Sequence, residues 1–171
     1  MLEWKQIPFN PDDRTAFING LLAPKWASRY PFLFDAADLD MTRSQPRYHF
    51  YEWFAAVEIY EHIGFHSLAE KYQFKKHKQD HAIFKELVGL SAYHQIAESG
   101  NSARPQAPDL LVYKPDRSEW FFCEVKGPGD DITPTQSQFF AMIERVTGSP
   151  VRIARLRPDA ETSRAALQDG A

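Results

Sequence analysis

Three residues in the second half of the chain could do chemistry together. Asp109 follows Pro108 in the run PDLLVY, and Glu124 and Lys126 stand two apart at the end of the apolar run EWFFCEVK, just before Gly127-Pro128-Gly129. Paired carboxylates bind a hard divalent cation such as Mg²⁺, which takes oxygen ligands and keeps several waters. Such a cation offsets carboxylate repulsion, polarises a phosphoryl oxygen and lowers the pKa of a bound water. A lysine beside it can hold the attacking water or the developing negative charge. The set suits phosphodiester hydrolysis. A Glu–Lys pair two apart on a strand also has an ordinary reading, a solvated ion pair worth under ~1 kcal/mol.

The elements that must position these residues are legible around them. DLLVY and EWFFCEVK read as strands, and the five-residue turn KPDRS makes them an antiparallel hairpin. Alternation puts Glu124 and Lys126 on one face, with Phe121, Cys123 and Val125 on the other. In a hairpin the start of the first strand lies beside the end of the second, so Asp109 is expected next to Glu124 and Lys126. A register slip of one residue would spoil this. TPTQSQFFAMIERVTG reads as a helix, with Thr133 as N-cap, Pro134 in first position, Gln136 completing a capping box and Gly148 as the stop. VRIARL follows as a strand, so strand, helix and strand form a parallel crossover, expected to be right-handed.

These residues carry a resemblance. PD, a spacer and EVK match the PD-(D/E)XK nuclease pattern, and the longer run EVKGPGDDITPTQSQFF closely resembles the VRR-NUC branch of that superfamily, over residues 104–157. The resemblance implies an α/β, restriction-endonuclease-like core, a small mixed β-sheet flanked by helices. It implies that Asp109 and Glu124 bind Mg²⁺ or Mn²⁺ with the Val125 carbonyl as a third ligand, that Lys126 is catalytic, and that Gln136 is the family's glutamine on the following helix. It also implies a metal-dependent DNA nuclease, acting in repair or processing on branched, flapped or single-stranded DNA, with homodimer formation left open. The family adds an acid from an upstream segment. EHIGFHSLAEKY is similar to the stretch leading to that acid in the Fanconi-type enzymes, which favours Glu70; a simpler core topology would take Glu52 or Glu58 from the preceding helix.

Upstream, residues 1–46 read as an N-terminal arm packing on the body, rich in Pro and aromatics, with one short helix around DDRTAFINGLLA. The nuclease-like domain is expected over 47–157 and a surface tail over 158–171. Phe50, Trp53, Val57 and Tyr60 form an apolar helical stripe ended by Gly64. HSLAEKYQF allows a short strand. A helical basic insertion at 71–107 carries Lys71, Lys75, Lys76, Lys78 and Lys85, with a break near Gly89. This cluster and Arg152, Arg155 and Arg157 are candidate phosphate contacts, or simply solvated faces. His77 and His81 have the spacing of a helical zinc pair, but HKQDH lacks the glutamate of the zinc-protease pattern, and a solvated face accounts for it better. Gln136 is equally well explained as a cap alone.

Bulk properties exclude little. The chain has 171 residues, net charge −3, 43% apolar and 25% charged residues, and 14% aromatics. That fits one soluble domain with a sizeable core. It is not a basic nucleic-acid binder in bulk, although the footprint that matters is local. One cysteine, Cys123, and the lack of a signal-like start point to a cytoplasmic protein. Two other functions stay open: a nuclease-fold module that binds nucleic acid with little or no cutting, and a subunit active only with a partner.

Overall fold

The computed structural model describes residues 1–69, 72, 77–99 and 107–159, with the backbone alone at 98 and 99. Its organising element is the hairpin. β3 (Leu110–Tyr113) and β4 (Trp120–Lys126) pair antiparallel, with Leu110 opposite Cys123 and Tyr113 opposite Trp120. The turn is closed by the Lys114 N–H to the Glu119 carbonyl at 2.8 Å, with Arg117 in the left-handed region at φ 62°. β2 (His66–Ala69) pairs antiparallel with β3 on the outer side.

On the other side β5 (Val151–Pro158) pairs parallel with β4, linked through α7 (Pro134–Thr147). β1 (Leu2–Phe9) pairs parallel with β5 and completes a five-stranded mixed sheet of order β1-β5-β4-β3-β2. A strand at residues 2–9 was not expected from the sequence. Half of its residues are exposed, it carries Pro8 and a register shift between Glu3 and Lys5 interrupts its alternation, and its partner strand lies at the far end of the chain. The rest of residues 1–46 folds as α1 (Pro11–Ile18), α2 (Ala23–Arg29) and α3 (Ala36–Ser44), two helices more than expected.

Each face of the sheet has its own core. α1, α2, α3 and α4 (Phe50–Ile63) cover the face of Val112, Phe121, Cys123 and Val125; Trp53 of α4 stacks on Phe34 with ring centroids 3.8 Å apart. α5 (Lys78–Val88), α6 (Leu90–Ser99) and α7 cover the face of Leu111, Phe122 and Val151, where Phe140 and Ile143 are fully buried. Gly64 ends α4 in the left-handed conformation at φ 70°, as its place after the apolar stripe implied. The break between α5 and α6 falls at Gly89. Among the described residues no helix is long and apolar enough to cross a membrane.

Candidate active site

β4 builds the site by reversing its chemistry within one face. Trp120 and Phe122 lie in the core under α7; the next two residues on that face are Glu124 and Lys126, which are 2% and 9% exposed. Their side chains meet, Lys126 Nζ to Glu124 Oε1, at 2.8 Å. Because Leu110 pairs with Cys123, Asp109 arrives opposite Glu124. Asp109 Oδ2 accepts the Val125 N–H at 2.7 Å, which ties the carboxylate to the end of β4. The register sets the Asp109 and Glu124 carboxyls side by side, close enough to act on each other electrostatically. Two carboxyls so placed need a proton or a cation between them. Burial raises the Glu124 pKa above its usual value, while Lys126 and Asp109 pull it back.

α7 adds the fourth member. Thr133 caps the helix in a full capping box: the Gln136 N–H donates to Thr133 Oγ1 at 3.2 Å, and Gln136 Oε1 accepts the Thr133 N–H at 3.1 Å. The same Gln136 side chain donates from Nε2 to Glu124 Oε1 at 2.8 Å, and its Oε1 accepts from Lys126 at 3.3 Å. The cap and the contact with the acid–base pair therefore coexist in one rotamer. An amide can do this because it carries both donor and acceptor atoms.

The loop after β4 and the start of α4 close this end of the sheet. Gly127 is buried, and a Cβ on it would stand 2.5 Å from Cε2 of Tyr51, so only glycine lets the first turn of α4 come so near without the Tyr51 ring moving. The Gly127 N–H donates to Asp130 Oδ2 at 3.2 Å. On the other side, the hydroxyl of fully buried Tyr72 donates to the Pro108 carbonyl at 2.7 Å, fixing the residue before Asp109. Burial, with Asp109 and Glu124 nearby, pushes the Tyr72 phenol well up, so it stays a donor.

The structure thus brings together Asp109, Glu124, Lys126 and Gln136, with Val125 contributing its backbone. Glu70 lies outside the described residues; the neighbouring Ala69 pairs with Leu110, the residue after Asp109. Glu52 and Glu58 lie on α4, which covers the opposite face of the sheet from Glu124. Glu52 is in the first turn, next to Tyr51, whose ring faces Gly127, whereas Glu58 lies further along and faces His62 at 3.5 Å. Lys71, Lys75 and Lys76 also fall outside the described residues. Lys85 sits over the Tyr93 ring, 5.0 Å from its centroid.

His81 lies between Tyr72 and Tyr93. Its Nδ1 donates to the Tyr72 carbonyl at 3.3 Å, and its Nε2 hydrogen-bonds the Tyr93 hydroxyl at 3.2 Å. Cys123 faces away from Glu124 into the other core, where burial pushes its thiol up. Among the described residues no three His, Cys, Asp or Glu side chains cluster as a metal cage.

A family model described as the VRR-NUC domain matches residues 55–158, more than half of the chain. The chain belongs to the VRR-NUC family. The match spans β2 to β5 and contains Asp109, Glu124, Lys126 and Gln136, while β1 and α1–α3 precede it. No curated protein matches the chain. VRR-NUC membership makes this a nuclease-type domain, and its mixed sheet between two helical layers is a restriction-endonuclease-like core.

Two residues of this region escaped the sequence reading. Tyr72 ends the run HSLAEKY, but nothing local signals its bond to Pro108. Arg152, Arg155 and Arg157 look alike as a basic group, whereas alternation along β5 sets Arg152 on one face and Arg155 and Arg157 on the other. Arg155 pairs with Lys126 and shares its face. Arg152 points the other way, over the Phe121 ring at 3.7 Å. Strand parity in VRIARL was the signal available.

Proposed function

We propose that this VRR-NUC domain is a divalent-metal-dependent DNA nuclease whose centre is Asp109, Glu124, Lys126 and Gln136. The observation that carries the reading is the buried Glu124 set opposite Asp109, with Lys126 and Gln136 both on Glu124 Oε1. The donor chemistry fits Mg²⁺ or Mn²⁺: two adjoining carboxyls are hard oxygen ligands that cannot both ionise cheaply when buried. Asp109 and Glu124 would hold the cation, with the Val125 carbonyl and one further acid, Glu70 or Glu52, as remaining candidates. When bound, it polarises the scissile phosphoryl group and acidifies a water.

The protein's own groups do the positioning. Lys126 is confined by Glu124 and Gln136, so its ammonium is preorganised to donate to the nucleophilic water or to a phosphoryl oxygen. Gln136 fixes the Glu124 rotamer from a helix whose start is itself capped by that residue. Tyr72 and the Val125 N–H hold the approach and orientation of Asp109.

A second reading, a nucleic-acid-binding module that does not cut, draws on one feature. Glu124 Oε1 already accepts from two donors, a closed arrangement that could persist without a metal. A panel of single-stranded, flapped, branched and linear duplex DNA with Mg²⁺ or Mn²⁺ separates the readings. Wild type should cut at least one substrate only with metal, and Lys126→Ala and Asp109→Asn should not, with circular dichroism showing both folded. Cleavage that persists in both folded variants would sink the assignment; metal-independent DNA binding without any cutting would establish the module.

A further inference from the structure

One cleft lies at the β1 edge of the sheet, and Arg155, which shares the face of Lys126, lines it. It measures about 400 Å³ and is lined by Glu3, Trp4, Lys5, Gln6, Arg155 and Arg157. Its place follows from the parallel registers. Lys126 pairs with Arg155, and Arg155 with Gln6, so the three form one row from the Glu124–Lys126 pair to the edge strand β1. Neighbouring strands are about 5 Å apart, so the Arg155 backbone lies one strand away from Lys126.

Arg155 is built as an anion receptor. Its side chain is 26% exposed, and NH1 donates to the Asp130 carbonyl at 3.1 Å. Asp130 in turn holds the Gly127 N–H, so the guanidinium is anchored to the loop that follows Lys126. The remaining edge points at Glu3: Nε donates to both carboxylate oxygens at 3.2 Å and NH2 to Oε1 at 3.0 Å. This is the two-pronged geometry with which arginine recognises carboxylates and phosphates alike. The two partners are unequal. Glu3 is 62% exposed on an edge strand, and an exposed ion pair of this kind is weakly held. If Glu3 swings into solvent, Arg155 keeps its Asp130 anchor and its orientation. Asp131, 90% exposed with a carboxylate oxygen 3.6 Å from Arg155 NH1, is the other acid at the rim, and Lys5 and Arg157 supply further positive charge.

We propose that this cleft is a subsite for a backbone phosphate flanking the scissile bond, and that in the free protein the Glu3 carboxylate occupies the Arg155 fork in that phosphate's place. DNA entry exchanges one acid for another on a preset guanidinium. Glu3 is then a competitor that weakens binding rather than a contact that supports it. This accounts for how a chain of net charge −3 can present a local phosphate site. Glu3 precedes the stretch that matches the family model, so the exchange is a feature of this chain's own edge strand. The inference rests on the nuclease reading, yet it is tested by binding alone.

The experiment measures the affinity of the full chain for fluorescent single-stranded and duplex DNA by anisotropy, with Ca²⁺ in place of Mg²⁺, across a salt series. Arg155→Ala should weaken binding about ten- to hundredfold and lower the salt slope by about one. Arg155→Lys should recover little of it, since the fork is lost. Glu3→Gln should tighten binding about two- to fivefold. In the double variant the Glu3→Gln gain should vanish; a gain that persists without Arg155 would mean general charge repulsion and overturn the proposal. Wild-type affinity in folded Arg155→Ala, or weakened binding in Glu3→Gln, would overturn it too. If wild type binds no DNA in Ca²⁺, Mg²⁺ or Mn²⁺ and cuts none, the nuclease reading fails and takes this one with it.

Discussion

The β3–β4 hairpin carries a glutamate–lysine pair at each end. Beside the turn Lys114 meets Glu119 at 2.9 Å, and at the open end Lys126 meets Glu124 at 2.8 Å. The distances are alike and the surroundings are not: the side chains are 41% and 49% exposed at the turn, against 11% and 3% at the open end. Water screens the first pair, which needs nothing else. The second has lost its water, so it requires the Gln136 amide and the neighbouring Asp109 to satisfy it. An ion pair that costs desolvation and recruits two further side chains is poor economy for stability alone; it is what a preorganised centre requires. The separation of a surface pair from a site is therefore made by burial and by neighbours, not by residue type or spacing.

The sharpest way to break this contrast is to remove the lysine at each end. Lys126→Ala should lower cleavage about 10²–10³-fold and destabilise the protein by several kcal/mol near pH 8, because Glu124 is left buried without its cation. Since burial already raises the Glu124 pKa, the carboxyl protonates more readily as pH falls, and the stability gap from wild type should narrow towards pH 5 in thermal melts. Equal gaps at both pH values would argue that Glu124 is not the group left exposed to the loss.

Gln136→Ala tests the link between cap and site. It should cost about 10–100-fold in metal affinity or activity and about 1 kcal/mol from the lost capping box. Gln136→Glu should keep most of the cap while placing a second acid beside Glu124, so stability and activity should part company. If the two fall together in both variants, Gln136 is only a cap.

Near the turn end, Asp80 of α5 offers a pH test that should spare activity. Burial, with Asp35 adding to it, raises its pKa to about 6 from 3.8. The fold therefore favours the protonated acid: that stability is full below about pH 4 and is lost as pH rises through 6. Asp80→Asn should raise stability at pH 8 by about 1–2 kcal/mol, allowing for water around a half-buried group, or about 3–6 °C in Tm. It should give no gain at pH 4. The smallest effect is expected for Lys114→Ala, with Tm and cleavage both unchanged; a marked loss of cleavage there would mean that the hairpin acts as one unit and dissolve the contrast.

Much of the site could be read before the structure because it is local. The short turn between Tyr113 and Trp120 sets the hairpin register, and that register brings Asp109 to Glu124. Thr133, Pro134 and Gln136 declare the start of α7 on their own. What could not be read is what distant segments contribute. β1 pairs with a strand about 150 residues away, so no local pattern marks it as part of the sheet or places Glu3 on Arg155. Tyr72 reaches Pro108 across 36 residues, and only the tertiary fold aims its hydroxyl.

The family, the hairpin, and the sharing of one face by Glu124 and Lys126 follow from the order of residues, because turn length and strand alternation act over a few positions. Packing settled the rest. It buried the acid–base pair, put Gln136 to two uses at once, set Arg155 opposite Lys126 in the neighbouring strand, and set Glu52 and Glu58 on the helix across the sheet. Burial and long-range register arise only when segments far apart in the chain exclude water together, and those set what the charges of EVK can do.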